Sequence, residues 1–584
     1  MHERQASLFF VGSRGVAMTQ GAQETKAQKV ERLKREKNPL EGLEEIRRFA
    51  REGRASIPPE WLGTYFRWWG VYTQGDGVGA VGGTDGEGKS TPYFMVRIRI
   101  PNGILTSQQL RTVAQLTEEY ARGVADITVR QNIQLHWVEI TALPDLLHRL
   151  LRSSLTTMEA CGDVARNITG CPLAGVDADE ICDASPLVHE ADRLLVGNSE
   201  FYKLPRKFKI SITGCRAWCS YPEINDVGLT AVRRTTPGGP EIGFSLRVGG
   251  GLSADPHLAV RLNAFVRWEQ ATAVVKGVAE LFRDAAVLRE HRERARLKFL
   301  FLRQGWTADT FLRELEARIG FPLDPAVPEM VPSDVYRDHV GICAQKQPGY
   351  SYVGAAVLRG RLTAAQMRAA ADLADGFASG ELRTTNMQNL LIVNVANHKA
   401  AELAKELTAI GLPVNGSPFW RGAIACTGTE FCKIAITETK AFARWLVEEM
   451  EERLPEFDQQ LKLHVAGCPN SCGQHWIADI GLEGKKIKVN GRLQDAYYFC
   501  VGGAVGKHQA VARPIGYRCL ASEVPDAIER LLRSYLELRL PGENLRQFFG
   551  RFSESLIREF LAGIPLPAVE RDLPTARPSH GVEG

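Results

Sequence analysis

Four cysteines carry the densest chemistry in this chain. Cys426 and Cys432 stand in ACTGTEFC with five residues between them, and Cys468 and Cys472 stand in GCPNSC with three. Thiolates paired in this way can converge on one cubane iron–sulfur cluster, since cluster irons take cysteine sulfur as ligand. The spacing is not the C-x2-C of a zinc ribbon, nor the tight cysteine run of a small ferredoxin. Four buried structural cysteines would explain neither the pairing nor the glycines and Pro469 that make GCPNSC a turn.

A second constellation is basic. Arg97 lies in FMVRIRIPNG, Arg166 in DVARN, and Lys207 and Lys209 in LPRKFK. Taken singly, each reads as a solvated surface charge. On a strand, however, Lys207 and Lys209 point to one face, because side chains alternate with period two. Arginine holds oxyanion oxygens with a fixed fork of donors. A lysine among other cations has a lowered pKa and can give up a proton.

These residues need a large scaffold to bring them together. The chain has 584 residues, long enough for several domains, and its 44% hydrophobic content is ordinary for a globular protein. A net charge of +4 is too weak to argue for a nucleic-acid partner. No apolar run approaches the roughly twenty residues that span a bilayer. The stretch MHERQASLFFVGSRGVA has no h-region or cleavage site, so the native start is expected at Met18. Twelve cysteines in such a chain point to a reducing compartment, and the cytoplasm is the expected address.

The chain is an internal duplication. A shift of 257 positions carries Gly103 to Gly360, Thr106 to Thr363, Gln109 to Gln366, Arg111 to Arg368, Gln131 to Gln388 and Asn132 to Asn389. A shift of 253 lays GCRAWCSYPEINDVGL on GCPNSCGQHWIADIGL, so that Cys215 meets Cys468, Cys219 meets Cys472 and Asp226 meets Asp479. The fold expected is α/β in the α+β sense, with pseudo-twofold symmetry. It has two small ferredoxin-like units and two larger α/β units.

Local patterns fit that plan. FMVRIRI alternates apolar and basic residues as a half-buried strand does, and ITVRQNIQLHWVEI also reads as strand. Thr106 is the N-cap expected for a helix that carries Leu110, Val113 and Ala114 on one face. KFKISITG and FSLRVGGG read as strands, and TETKAFARWLVEEMEERL as a long helix. The divisions expected are an N-terminal extension and arm over 1–87 and a first small unit over 88–155. A first larger unit follows over 156–318, then a connector over 319–346. The second small unit covers 347–413, the second larger unit 414–562, and a disordered tail 563–584.

From Arg67 in RWWGVYTQ to about residue 550, the chain resembles the sirohaem-dependent sulfite and nitrite reductases. The resemblance rests on the cluster motif, the duplication and LPRKFK together. It implies a [4Fe–4S] cluster on Cys426, Cys432, Cys468 and Cys472, with Cys472 also bridging to sirohaem iron. It implies that Arg97, Arg166, Lys207 and Lys209 surround substrate on the distal face of the haem. Arg130, Asn132 and His136 in VRQNIQLHW, with Arg206, resemble residues that contact the eight-carboxylate cofactor; a hydrogen-bonded core histidine is the alternative for His136. The larger units then bind the cofactors. The implied reaction is a six-electron reduction by a monomer. No segment resembles a flavin or NADPH module, so ferredoxin is the donor expected.

Between substrates the signals conflict. Lys209 favours sulfite, because plant-type and cyanobacterial nitrite reductases tend to carry asparagine there. ACTGTEFC with TETK, and GCPNSCGQ with ADIG, look closer to nitrite-reductase versions. The residue that touches substrate is weighed above the scaffold, so sulfite is preferred over nitrite or dual activity. Remoter alternatives are a precorrin-modifying oxygenase, a non-catalytic electron-transfer protein and a subunit of a dissimilatory complex. Tyr72 and Cys161 fall where some relatives join a tyrosine to a cysteine. Cys215 and Cys219 echo the second-half pair without a matching C-x5-C and read as a relic of duplication; a second cluster there would need further ligands such as Cys161 and Cys171. Cys182, Cys343, Cys500 and Cys519 have no motif and read as structural.

Overall fold

The structure is a computed structural model that describes residues 24–81, 87–330 and 337–564. The expected start at Met18 and the expected tail after residue 564 lie outside the described residues.

Nineteen strands are named in chain order. The first small unit supplies β1 (Val71–Gly75), β2 (Ser90–Ile98), β3 (Ile104–Thr106), β4 (Val124–Ile127) and β5 (Ile133–Val138). The first larger unit supplies β6 (Ile210–Thr213), β7 (Val227–Thr236), β8 (Gly239–Val248) and β9 (Val260–Arg267). The second half repeats this as β10 (Gly341–Ala344), β11 (Tyr350–Ala355), β12 (Arg361–Thr363), β13 (Glu381–Thr384) and β14 (Leu390–Ala396). Its larger unit holds β15 (Ala423–Ala425), β16 (Leu463–Ala466), β17 (Ile480–Val489), β18 (Arg492–Val501) and β19 (Arg513–Leu520).

The small units are intertwined. The first sheet runs β1-β2-β5-β4-β12 and the second β10-β11-β14-β13-β3, so each half lends a three-residue strand to the other's sheet. The registers match: Leu362 opposes Ala125, and Leu105 opposes Leu382. One buried core therefore runs through both sheets, from Phe94 and Leu105 to Leu382 and Val414. The two larger units have a core each.

The duplication extends to strained backbone. Asn102 and Arg359, Gln131 and Gln388, Trp137 and Asn394, Trp218 and Ser471, and Tyr221 and Gln474 all have φ between +48° and +62°. Non-glycine residues adopt this region at a cost. Finding it at the repeat spacing, under different side chains at four of the five pairs, shows that backbone geometry is what repeats.

Thr106 caps the helix Ser107–Tyr120 in a capping box with Gln109, and Thr363 caps Ala364–Phe377 with Gln366. The two helices exchange ion pairs, Arg111 to Asp375 at 2.6 Å and Arg368 to Glu118 at 2.6 Å. The long helix expected in TETKAFARWLVEEMEERL is present as Lys440–Arg453.

One expectation is corrected. ITVRQNIQLHWVEI is not one strand but the hairpin β4–β5, closed where Gln131 turns with φ +61°. The Gln131 side chain makes that turn useful. Its amide donates to the carbonyls of Asn102, Gly170 and Thr384, and its oxygen accepts from Gly170 N. Gln388 repeats the pattern on Ile127 and Ala425. Each glutamine thus ties its small unit to the opposite half and to a larger unit. Buried amides gain most when every donor is matched.

Candidate active site

The cysteines lie at strand ends. Cys426 follows β15, which pairs in parallel with β16, and its N–H donates to Val465 O at 3.1 Å. Cys468 and Cys472 follow β16 in a turn that needs Ser471 at φ +53° and Gln474 at φ +60°. Cys432 lies on a tight loop whose N–H donates to Gly428 O at 2.9 Å. Gly467 N donates to Cys426 Sγ at 3.2 Å and Asn470 Nδ2 to Cys468 Sγ at 3.6 Å. Cys468 is buried, Cys426 and Cys432 are half-buried, and Cys472 is exposed.

The first half clasps this loop. Gly75 N donates to Phe431 O, and the imidazole of His136 stacks on the Phe431 ring at 3.7 Å. His136 is fully buried, with Nε2 3.1 Å from Asp126 Oδ2, and burial lowers its pKa. It lies beside the cluster loop, not among the other cations.

Those cations gather where the first half meets Cys472. Arg97 on β2 donates to Cys161 Sγ at 2.8 Å and to Ala160 O at 3.4 Å, and lies over the Tyr72 ring. Tyr72 and Cys161 therefore both flank Arg97. Arg166 donates to Gly162 O at 2.8 Å. Lys207 and Lys209 precede β6 on extended backbone; Phe208 and Ile210 between and after them are buried, so the alternation expected is present. Lys209 N donates to Asp226 Oδ2 at 2.7 Å, and Arg296 clamps the same carboxylate at 2.8 Å. Asp226 is thereby engaged on the backbone side, which leaves the Lys209 ammonium to the pocket.

Both lysines are half-buried. Burial, then Arg296, Arg206 and Arg166, brings Lys207 down to about 7, against the pull of Cys472. Burial and the cations Arg130, Arg296 and Lys207 push Lys209 well below the usual lysine range. Cations packed until they suppress one another's charge form a site made to receive an anion.

The other expected residues are tied down in different ways. Arg130 donates to Asn225 Oδ1 at 2.8 Å and Asn167 O at 2.6 Å. The side chain of Asn132 accepts from Ile100 N at 3.4 Å, as Asn389 accepts from Val357 N. Arg206 leans on Asp163 at 3.7 Å. Arg296 was not anticipated from sequence, because EHRERARLKFL reads as a solvated charge run; only the position of its partner Asp226 in the repeat hints at it.

The residues present fit the two groups that the sequence implies. The four thiols of the second half face one another closely enough that Cys472 opposes ionisation of the other three. Among the described residues no three of them meet within 4.8 Å, which suits a cubane better than a single ion. Burial pushes Cys432 up to about 12, a cost that metal binding must overcome. The cation pocket beside Cys472 suits a polycarboxylate macrocycle and an oxyanion together.

Comparison with known proteins points the same way. The family described as nitrite and sulphite reductase 4Fe-4S domain matches residues 161–323 and 417–558, and the nitrite/sulfite reductase ferredoxin-like half domain matches 87–153 and 344–410. An assimilatory ferredoxin-dependent nitrite reductase of Haloferax mediterranei is 37% identical over 548 residues, covering 88% of this chain and 90% of that one. A ferredoxin sulfite reductase of Mycobacterium tuberculosis is 37% identical over 540 residues, covering 90% and 95%. The solved structure of the Mycobacterium tuberculosis NirA protein superposes with a TM-score of 0.85 at 36% identity, over 91% of this chain and 97% of that one. No helix among the described residues is long and apolar enough to cross a membrane.

Proposed function

The chain belongs to the nitrite and sulphite reductase family, with its sirohaem and [4Fe–4S] cofactors, and on that premise we propose that it reduces sulfite to sulfide with electrons from reduced ferredoxin. Sirohaem coupled to the cluster, when bound, would supply the redox chemistry of a six-electron reduction. Cys426, Cys432, Cys468 and Cys472 would hold the cluster, and exposed Cys472, facing Arg97 and Lys207, would be the thiolate shared with the haem. Arg97 and Arg166 orient the oxyanion. Lys207 and Lys209 add charge and deliver protons: an arriving anion raises the proton affinity of a neighbouring ammonium, so substrate and proton enter together. Arg130, Asn132, His136 and Arg206 shape the cofactor's surroundings. On the same reading the protein works as a monomer in the cytoplasm.

The observation that carries sulfite over nitrite is Lys209. It places a second ammonium on the face of Lys207, in a pocket already crowded with cations, and such a pocket favours the more highly charged anion. Nitrite, alone or alongside sulfite, is the second reading, because relatives of equal identity bear both names. Steady-state turnover with reduced ferredoxin decides. Sulfite is expected to have the larger kcat/KM, and a preference for nitrite by about tenfold overturns the proposal.

A further inference from the structure

The twofold repeat creates a second composite site. A shift of 255 positions carries Gly170 to Ala425, which make the same hydrogen bond to Gln131 and Gln388 respectively. The same shift carries Cys171 to Cys426 and Asp177 to Cys432. With Cys215 at the place of Cys468 and Cys219 at that of Cys472, three of the four cluster positions keep a thiol in the first half. Opposite them, Gly354 stands at the place of Arg97. A Cβ at Gly354 would lie 1.7 Å from His339 O. The connector between the halves therefore passes through the space that a side chain at this position would need, and it brings His339 with it.

Three of these ligand atoms meet as a group, and Cys215 joins them through Cys219. Cys215 Sγ is 3.2 Å from Cys219 Sγ, and Cys219 Sγ is 3.3 Å from Cys171 Sγ. The ligand atoms of Cys171, Cys219 and His339 all lie within 4.8 Å of one another. All four residues are buried, and neither ring nitrogen of His339 has a hydrogen-bond partner among the described residues. His339 also has φ +63°. A buried imidazole without a partner, on left-handed backbone, is costly twice over. Leu173 N donates to Cys171 Sγ at 3.4 Å and Thr213 Oγ1 to Cys215 Sγ at 3.3 Å, contacts that support thiolate sulfur.

We propose that Cys171, Cys215, Cys219 and His339 bind one tetrahedral zinc-type ion that fastens the connector to the first larger unit. Zinc–sulfur bonds of about 2.3 Å in a tetrahedron put thiolates about 3.8 Å apart, which the Cys215–Cys219 and Cys219–Cys171 contacts approach; Cys215 moves towards Cys171 to complete the set. The second-half thiols, which no three of bring within 4.8 Å, are spread more widely. Asp177 does not join the set; it is held by Arg337 at 2.9 Å. Cys161 does not join it either, being bound to Arg97. Binding releases the three thiol protons to solvent, leaves His339 neutral and moves no electrons. With four protein ligands and no open position the ion is structural, and its binding energy is folding energy.

The test uses the full chain with both redox cofactors in place, purified without chelator. Elemental analysis should find about one zinc per chain beside the iron. Absorption at the zinc edge should show about three sulfurs near 2.3 Å and one nitrogen near 2.0 Å. His339→Ala and Cys219→Ser should each lower zinc at least about fivefold and lower Tm, while sirohaem absorbance per chain is kept. If a variant fails to fold, wild-type metal content still decides. Wild-type protein without zinc, zinc retained in both variants, or a second iron–sulfur signal lost in His339→Ala would each overturn the proposal.

Discussion

Lys209→Asn is the perturbation that most directly probes substrate choice. The backbone anchor of this residue survives the change, because the bond to Asp226 comes from Lys209 N and not from the side chain. What disappears is one cation beside Lys207, Arg130 and Arg296. At about 5 Å and an effective dielectric of about 20, one unit charge on an anion is worth about 3 kcal/mol to such a cation. Lys209 is half-buried, so about half of that is a fair figure. A dianion loses twice what a monoanion loses, and the differential is then about 1.4 kcal/mol, or tenfold. The assay is kcat/KM for sulfite and for nitrite, each rate divided by sirohaem content. Sulfite turnover should fall at least about tenfold, and nitrite turnover should fall less or rise. Equal losses would show Lys209 to be scaffolding and would remove the reason for preferring sulfite.

Cys472→Ser should disturb the cluster and haem spectra together; loss of the cluster beside an unchanged haem spectrum would refute the shared-ligand assignment. Turnover should require reduced ferredoxin or an artificial low-potential donor, and KM for ferredoxin should rise with salt as exposed charges are screened; unassisted turnover with NADPH would exclude that donor. Lys207, held at about 7 by burial and its cationic neighbours, binds its proton less tightly folded than unfolded. Cofactor-free protein should therefore gain stability as pH rises from about 7 towards 10. In the holoenzyme the cofactor's carboxylates raise that value, so kcat/KM should fall along an alkaline limb at or above about 7 as the ammonium is lost. Lys207→Arg should flatten the limb, and a limb unmoved by that change would assign it to another group.

What sequence made legible was local or repeated. The thiols proposed for the cluster show in a spacing, the helix caps in Thr106-x-x-Gln109 and its repeat, and the duplication in constant shifts. The exchange of β3 and β12 was not legible, because three-residue strands carry no pattern and their pairing is decided by the fold as a whole. The turn at Gln131 was missed because nothing in VRQNIQ is glycine; buried hydrogen bonds from the glutamine offset the strained backbone. Arg296 was hidden in a charge run and His339 in a stretch read as connector. Each matters only through a partner far away in sequence, Asp226 for one and the first-half thiols for the other.

That distance also explains why a symmetric fold carries one redox site. Each composite site draws its thiols from one half and its cations from the other, so a change in either half is enough to disable it. Asp177 stands where the other half has Cys432, and Gly354 where it has Arg97. On the proposed assignment the redox site takes Arg97, Arg166, Lys207 and Lys209 from the first half and its four thiols from the second. Its mirror keeps the clamp, with Lys462 N donating to Asp479 at 2.7 Å as Lys209 N does to Asp226. Burial lowers the pKa of Lys462 too, while Cys171, Cys215 and Cys219 stand in the first half where the second has Cys426, Cys468 and Cys472. The backbone can stay symmetric because strand pairing and the paired glutamines demand it. Within that shared frame the side chains of the two sites have diverged.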